Sequence, residues 1–253
     1  MRASATFAAA CILVAVGLMP QRAGAAADLV ILTNQGATPG VKELAAAFER
    51  ASGHKVTVIQ EEGDALEQRI NSGPADLVTG NPPTLEALVK NGKVVASTVT
   101  PFVLAGLGLS VRAGAPKPDI STVAAYKATL LAAKSIGYSR GCSGTNVAEG
   151  IAQLGLTDQL KAKTIFTSSG PVADHLARGE FEVGIQQTNI MVGVPGTQYV
   201  GPLPGSLNKP CGSSVALLTT SKQADAARDM ITFMISPAAA PLLRKTHVEP
   251  AKP

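Results

Sequence analysis

"DLVILTNQGATPGVKELAAAFERASGHKVTVIQ", residues 28 to 60, contains one complete strand, turn, helix and second strand. "DLVILT" is an apolar run of strand length and "NQGATPG" is turn chemistry. In "VKELAAAFERASG", Val41, Leu44, Ala45 and Phe48 recur at the spacing of one helix face, and Gly53 supplies a stop signal. "KVTVIQ" then opens the next strand. The alternation continues. "EEGDALEQRINSG" reads as a helix with Asp64 and Glu67 spaced as a capping pair, "ADLVTG" as a strand, and "NPPTLEALVKNG" as a helix with Pro83 in its first turn. Strands alternating with helices imply mainly parallel sheet covered by helices on both faces, the α/β class.

The second half repeats the pattern after "PFVLAGLGLSVR", a buried strand. "KSIGYS" is a strand, "RGCSGTN" its turn and "VAEGIAQLGL" a helix. "AKTIFTS" and "FEVGIQQTN" are strands around the helix "GPVADHLARGE". The glycine- and proline-rich stretch "GVPGTQYVGPLPGSLNKPCG" reads as a connection to the strand "SSVALLT" and the helix "QADAARDMITFMIS". The tail "PAAAPLLRKTHVEP" reads as a short helix with Pro250 near its end.

Before the first strand stand an arginine, a short apolar run through Val16 and Leu18, and small residues ending Ala23-Gly24-Ala25, with no acidic residue before Asp28. That is the layout of a secretory signal peptide over residues 1 to 26, which predicts an exported chain and a periplasmic location. Without Arg2 and Arg22 the formal charge falls from +4 to +2, which speaks against a nucleic-acid partner. Cys11 leaves with the leader, so Cys142 and Cys211 remain. In an oxidising compartment a disulfide between them, two free thiols or two small buried residues all fit.

In open α/β sheets ligands sit beyond the carboxyl ends of strands, at helix starts. Four turns occupy such places, 33 to 40, 60 to 64, 139 to 146 and 186 to 189, two from each half of the chain. A cleft between two lobes brings them together. In the third turn "GCSGT" puts Thr145 where a nucleophile elbow needs glycine, and His54, His175 and His247 are not obviously aimed at Ser143. A secreted hydrolase using Ser143 or Cys142 is thus the minor alternative. No phosphate loop, dinucleotide fingerprint or metal-ligand spacing occurs, so no cofactor and no metal are expected. Backbone N–H groups at a helix start, the hydroxyls of Ser139, Ser143 and Thr145, and Arg140 suit a small anion instead.

The order of "ELAAAFERASGHKVTV", "VADHLARGEFEVGIQQ", "PGTQYVGPLPGSL" and "AARDMITFMISPAAAPLLRKTHVEP" resembles the molybdate-binding-like branch of periplasmic solute-binding proteins. The resemblance implies a two-lobed type II periplasmic binding protein fold, mixed sheets flanked by helices, with "FVLAGLGLSV" and "SSVALLTT" as crossover strands forming the hinge. Lobe 1 would take residues 27 to 106 and the C-terminal helices 220 to 253, and lobe 2 residues 107 to 219. It further implies a monomeric, non-enzymatic receptor that passes a small anion to the membrane permease of an ATP-driven transporter. Molybdate receptors of this branch use serines in the first turn, a Gly-Ser-Ser-Gly-like second turn and a tyrosine in the fourth. This chain has Thr33, Asn34, Gln35 and Gly36 in the first, Glu61, Glu62 and Gly63 in the second, and Gln186 and Gln187 in the fourth. Amides both donate and accept, unlike an all-donor oxyanion cage. The expected ligand is therefore a small organic anion, its negative group held by Ser139, Arg140, Ser143, Gly144 and Thr145, with a molybdate or tungstate site as the alternative.

Overall fold

The computed structural model describes residues 26 to 167 and 169 to 251, so the expected signal peptide lies outside the described residues except for Ala26. The chain runs through β1 (Asp28–Thr33), α1 (Thr38–Ser52), β2 (Lys55–Gln60), α2 (Gly63–Ser72), β3 (Leu77–Gly80), α3 (Pro82–Lys90) and β4 (Thr100–Ala105). It continues with β5 (Leu107–Arg112), α4 (Val123–Ala132), β6 (Ile136–Tyr138), α5 (Cys142–Gln153), α6 (Thr157–Lys161), β7 (Thr164–Phe166), α7 (Val172–Ala177), β8 (Val183–Gln187) and β9 (Thr197–Pro202). It closes with β10 (Cys211–Leu217), α8 (Ala224–Met234), α9 (Ala239–Lys245) and β11 (Glu249–Pro250).

Helix α1 forms as its apolar spacing dictates. Val41, Leu44, Ala45 and Phe48 are all buried against α8, α9 and the sheet, and each large side chain so removed from water contributes about 1.5–3 kcal/mol. Gly53 ends it in the left-handed conformation, φ 76°, with its N–H donating to the carbonyl of Glu49. The expected Asp64 and Glu67 capping pair does not form. The helix begins at Gly63 with Glu62 at its N-cap, so Asp64 already lies inside the first turn.

Two mixed sheets result, each with its own core, and they define two lobes. The first has strand order β11-β4-β10-β3-β1-β2 and the second β7-β6-β8-β5-β9. Strands β1, β2 and β3 pair in parallel, as do β6, β7 and β8, while β10 and β5 run antiparallel to their neighbours. Helices α1, α8 and α9 cover one face of the first sheet, and α2 and α3 the other. The run expected as one buried strand is two, β4 and β5, which separate at Gly106 and enter different sheets. The return crossing precedes Cys211. The stretch 107 to 219 expected as lobe 2 therefore includes β10, which is hydrogen-bonded between β3 and β4 of the first sheet. The crossings are tied together where the Leu107 N–H donates to Asn208 Oδ1 at 2.6 Å.

Two further differences have simple causes. The connection read from glycine and proline contains β9, an edge strand, and the edge is where Pro202 is tolerated. Pro250 likewise belongs to the edge strand β11 rather than to a helix end. Among the described residues no helix is long and apolar enough to cross a membrane.

Candidate functional site

A cavity of about 370 Å³ lies between the lobes at the carboxyl ends of the strands. Lobe 1 lines it with Asn34 to Gly36 after β1, Glu61 to Gly63 after β2, the end of β3, and the start of β10. Lobe 2 lines it with Ser139 to Ser143 after β6, Thr167, Ser169 and Gly170 after β7, and Gln186 and Gln187 at the end of β8. All four turns expected from the sequence meet there.

The first turn is built from inside outward. Thr33 is fully buried and its hydroxyl accepts from Thr79 Oγ1 at 2.8 Å, so it anchors the turn without lining the cavity. Asn34 lines the cavity, but its amide is held by Thr79 Oγ1 at 3.0 Å and by Ser213 Oγ at 3.3 Å. Gln35 joins both lobes: its N–H donates to Glu62 Oε1 at 2.7 Å, and its Oε1 accepts from Gln186 Nε2 at 3.1 Å. Gln186 Oε1 in turn accepts from the Val172 N–H at the start of α7, at 2.8 Å. Gly36 lets Gln187 lie close, since a Cβ there would fall 2.3 Å from Gln187 Nε2.

The third turn leads from β6 into α5. Gly141 is the N-cap, with no side chain capping the helix, and the first intrahelical bond runs from the Thr145 N–H to the Gly141 carbonyl. The N–H groups of Cys142, Ser143 and Gly144 therefore precede any intrahelical acceptor and lie at the positive end of the helix dipole. Ser139 Oγ and Ser143 Oγ are 3.1 Å apart. Gly144 packs directly on the Ser139 carbonyl, where a Cβ would come within 1.6 Å of the oxygen, so only glycine closes this turn. Neither Gly144 nor Thr145 lines the cavity, and the Thr145 side chain is exposed. Both stand in the expected turn, but the helix has already rotated them away.

Arg140 lines the cavity with its guanidinium carbon 4.4 Å from the centroid of the Phe166 ring. That cation–π contact orients the side chain, and Arg140 forms no salt bridge among the described residues. Cys142, the first residue of α5, is bonded to Cys211, the first residue of β10, across a sequence separation of 69. The disulfide thus links the third turn in one lobe to the sheet of the other at the cavity wall.

Several lining residues escaped the sequence reading, among them Thr79, Asn81, Thr84, Thr167, Ser169 and Ser213, and so did two that shape the region from beside it. Asn189 Nδ2 donates to the Gly36 carbonyl across the cleft at 2.7 Å, and Phe166 supports Arg140. Asn189 sits in the fourth expected turn, so its polar side chain was the available signal. Phe166 gave none beyond its strand.

Among the described residues no histidine lines the cavity, and Cys142 is in a disulfide, so the partners a Ser143 or Cys142 hydrolase needs are not assembled there. Among the described residues no group of three or more His, Cys, Asp or Glu is placed to hold a metal ion. His175 instead steadies the cavity rim. Its Nε2 lies 2.7 Å from the Ser169 carbonyl and its Nδ1 2.7 Å from Glu180 Oε2. Both ring nitrogens face acceptors, so the Ser169 carbonyl first and the Glu180 carboxylate second raise its pKa above the usual imidazole value. A raised folded-state pKa adds stability below about pH 6.5, the unfolded value, and this is lost as pH climbs through the folded value. The melting temperature of the wild type should exceed that of His175→Gln most below pH 6, and the gap should shrink toward pH 9. A gap independent of pH would refute the assignment.

Two α/β lobes joined by crossing strands, with a polar cleft between them, define a solute-binding protein of the molybdate-binding-like type. The chain belongs to the bacterial extracellular solute-binding protein family, whose profile matches residues 24–249. An aconitate isomerase from Pseudomonas sp. is 31% identical over 229 residues, covering 88% of this chain and 87% of that protein. The molybdate-binding protein ModA of Azotobacter vinelandii is 26% identical over 235 residues, covering 88% and 90%. The solved periplasmic molybdate-binding protein of Azotobacter vinelandii superposes with a TM-score of 0.71 at 18% identity, over 89% of this chain and 99% of that one.

Proposed function

We propose that the chain is exported to the periplasm and closes its two lobes over a small organic polycarboxylate. The observation that carries this reading is the mixed chemistry of the cavity. Arg140 and the N–H groups at the start of α5, which precede the first intrahelical bond, offer one strongly anion-seeking corner, while Gln35, Gln187 and the carboxylates of Glu61 and Glu62 are among the other groups on the lining. Two carboxylates beside a compact tetrahedral dianion raise its energy, whereas an extended polycarboxylate can place its negative groups at Arg140 and the start of α5 and turn a hydroxyl or C–H part toward Glu61 and Glu62. The 31% identical relative acts, by its name, on aconitate, an unsaturated tricarboxylate, which supports that class of ligand here. That relative is named as an enzyme, so the family fold serves catalysis as well as delivery to a permease.

The oxyanion reading draws support from the ModA relative and from the serine and N–H donors at the start of α5. One experiment separates the two. Melting the purified mature chain with trans-aconitate and citrate, and separately with molybdate, tungstate and sulfate, reports which ligand binds the folded form. At a hundredfold excess over Kd, binding adds about 2.7 kcal/mol, a rise of roughly 5–10 °C for a chain of this size. The expected result is a rise with the polycarboxylates. A rise confined to molybdate or tungstate would overturn the reading.

A further inference from the structure

We propose that Glu62 is a catalytic base which moves a proton between two carbons of a bound unsaturated polycarboxylate. This inference rests on the polycarboxylate reading above and goes beyond it to a reaction and a residue. Glu61 and Glu62 both line the cavity, but among the described residues only the Glu62 carboxylate is fixed by the neighbouring turn of the same lobe, through the Gln35 N–H at 2.7 Å. That bond occupies Oε1, and Oε2 makes no hydrogen bond to another described residue. Gln35 is itself held from the other lobe by Gln186, which is anchored by the Val172 N–H. A continuous set of three hydrogen bonds therefore runs from the carboxylate of one lobe to a helix start in the other. Glu62 is thus held within its own lobe by the Gln35 N–H, and the Gln186 contact steadies that same turn from the other lobe when the two meet.

The chemistry needs nothing the cavity lacks. In an allylic tricarboxylate the Glu62 carboxylate takes a proton from the methylene carbon, the C–H electron pair enters the conjugated system, and the double bond shifts by one position. The same carboxyl returns the proton to the far alkene carbon, forming the new C–H bond. Atoms and electrons balance with no oxidant, reductant or cofactor, and the two geometric isomers interconvert. Negative charge that builds on the ligand carboxylate in between falls to Arg140 and the N–H groups at the start of α5, which are in place beforehand.

The test uses the mature chain and trans-aconitate in D2O, followed by proton NMR. Wild type should convert the isomer and lose proton signal at the methylene carbon. Glu62→Gln should slow both by about 10³-fold, yet keep the rise in melting temperature with trans-aconitate. Asp64→Asn, two residues along in the first turn of α2 and outside the cavity lining, should keep the wild-type rate. An unchanged rate in Glu62→Gln would overturn the assignment of the base. Wild type that melts higher with trans-aconitate yet neither isomerises it nor exchanges deuterium would overturn the reaction while leaving the binding reading intact. If no polycarboxylate raises the melting temperature, it is the binding reading that fails.

Discussion

Arg140→Ala should weaken polycarboxylate binding by on the order of 10²-fold, about 3 kcal/mol, while leaving the apo protein close to wild-type stability. The two halves of that expectation have separate causes. Arg140 is exposed in the apo chain, and its one strong described contact is the Phe166 ring, a cation–π pair worth about 0.5–1 kcal/mol at such a site. Little stability is at stake. Once the lobes enclose a carboxylate, the same guanidinium becomes the charged partner of a desolvated anion, and removing it leaves that anion with neutral donors alone. Arg140→Lys should fall between the two, because an ammonium keeps the charge but lacks the planar fork that meets a carboxylate with two parallel bonds. Isothermal titration with trans-aconitate, beside a melting curve without ligand, measures both terms. Affinity within threefold of wild type would remove Arg140 from the site.

The same residues mark how far the sequence could be read. Helix α1 was legible because its apolar residues fall on one face and Gly53 can take a positive φ. Helix α4 was not, since "AAYKATLLA" offers almost no polar contrast around the helix and only Tyr126 and Leu130 are buried. β9 was hidden because a glycine- and proline-rich composition signals loop, whereas an edge strand paired on one side tolerates both. The rule of turns after strands put Gln35, Arg140 and Gln186 together, and all three line the cavity. Membership of a turn does not fix which way a side chain points. Thr33 is turned inward to Thr79, Gly144 onto the Ser139 carbonyl, and Thr145 out to solvent. Contacts made across the cleft, such as Asn189 to Gly36, depend on how the lobes meet, and no local pattern encodes that.

Replacing both Cys142 and Cys211 by serine should lower stability by about 4 kcal/mol, the loop-closure entropy restored to the unfolded chain when a 69-residue separation is no longer pinned. For a chain of this size that is a fall in melting temperature of roughly 8–16 °C. The location of the bond predicts a second effect. Cys142 opens α5 in one lobe and Cys211 opens β10 in the sheet of the other, so the bond fixes the start of the α5 dipole against the far wall of the cavity. Asn146 remains beside it, donating to the Lys209 carbonyl at 3.1 Å and lying 3.7 Å from Cys211 Sγ. That single bond can hold the helix near its place without fixing it. The variant should therefore bind ligand more weakly as well as melt earlier, and a reducing agent should reproduce both effects in wild type. If wild type melts at one temperature with and without reductant while thiol titration shows the bond is broken, the stabilising role falls. If affinity also stays constant, the bond does not position the anion-binding end of α5.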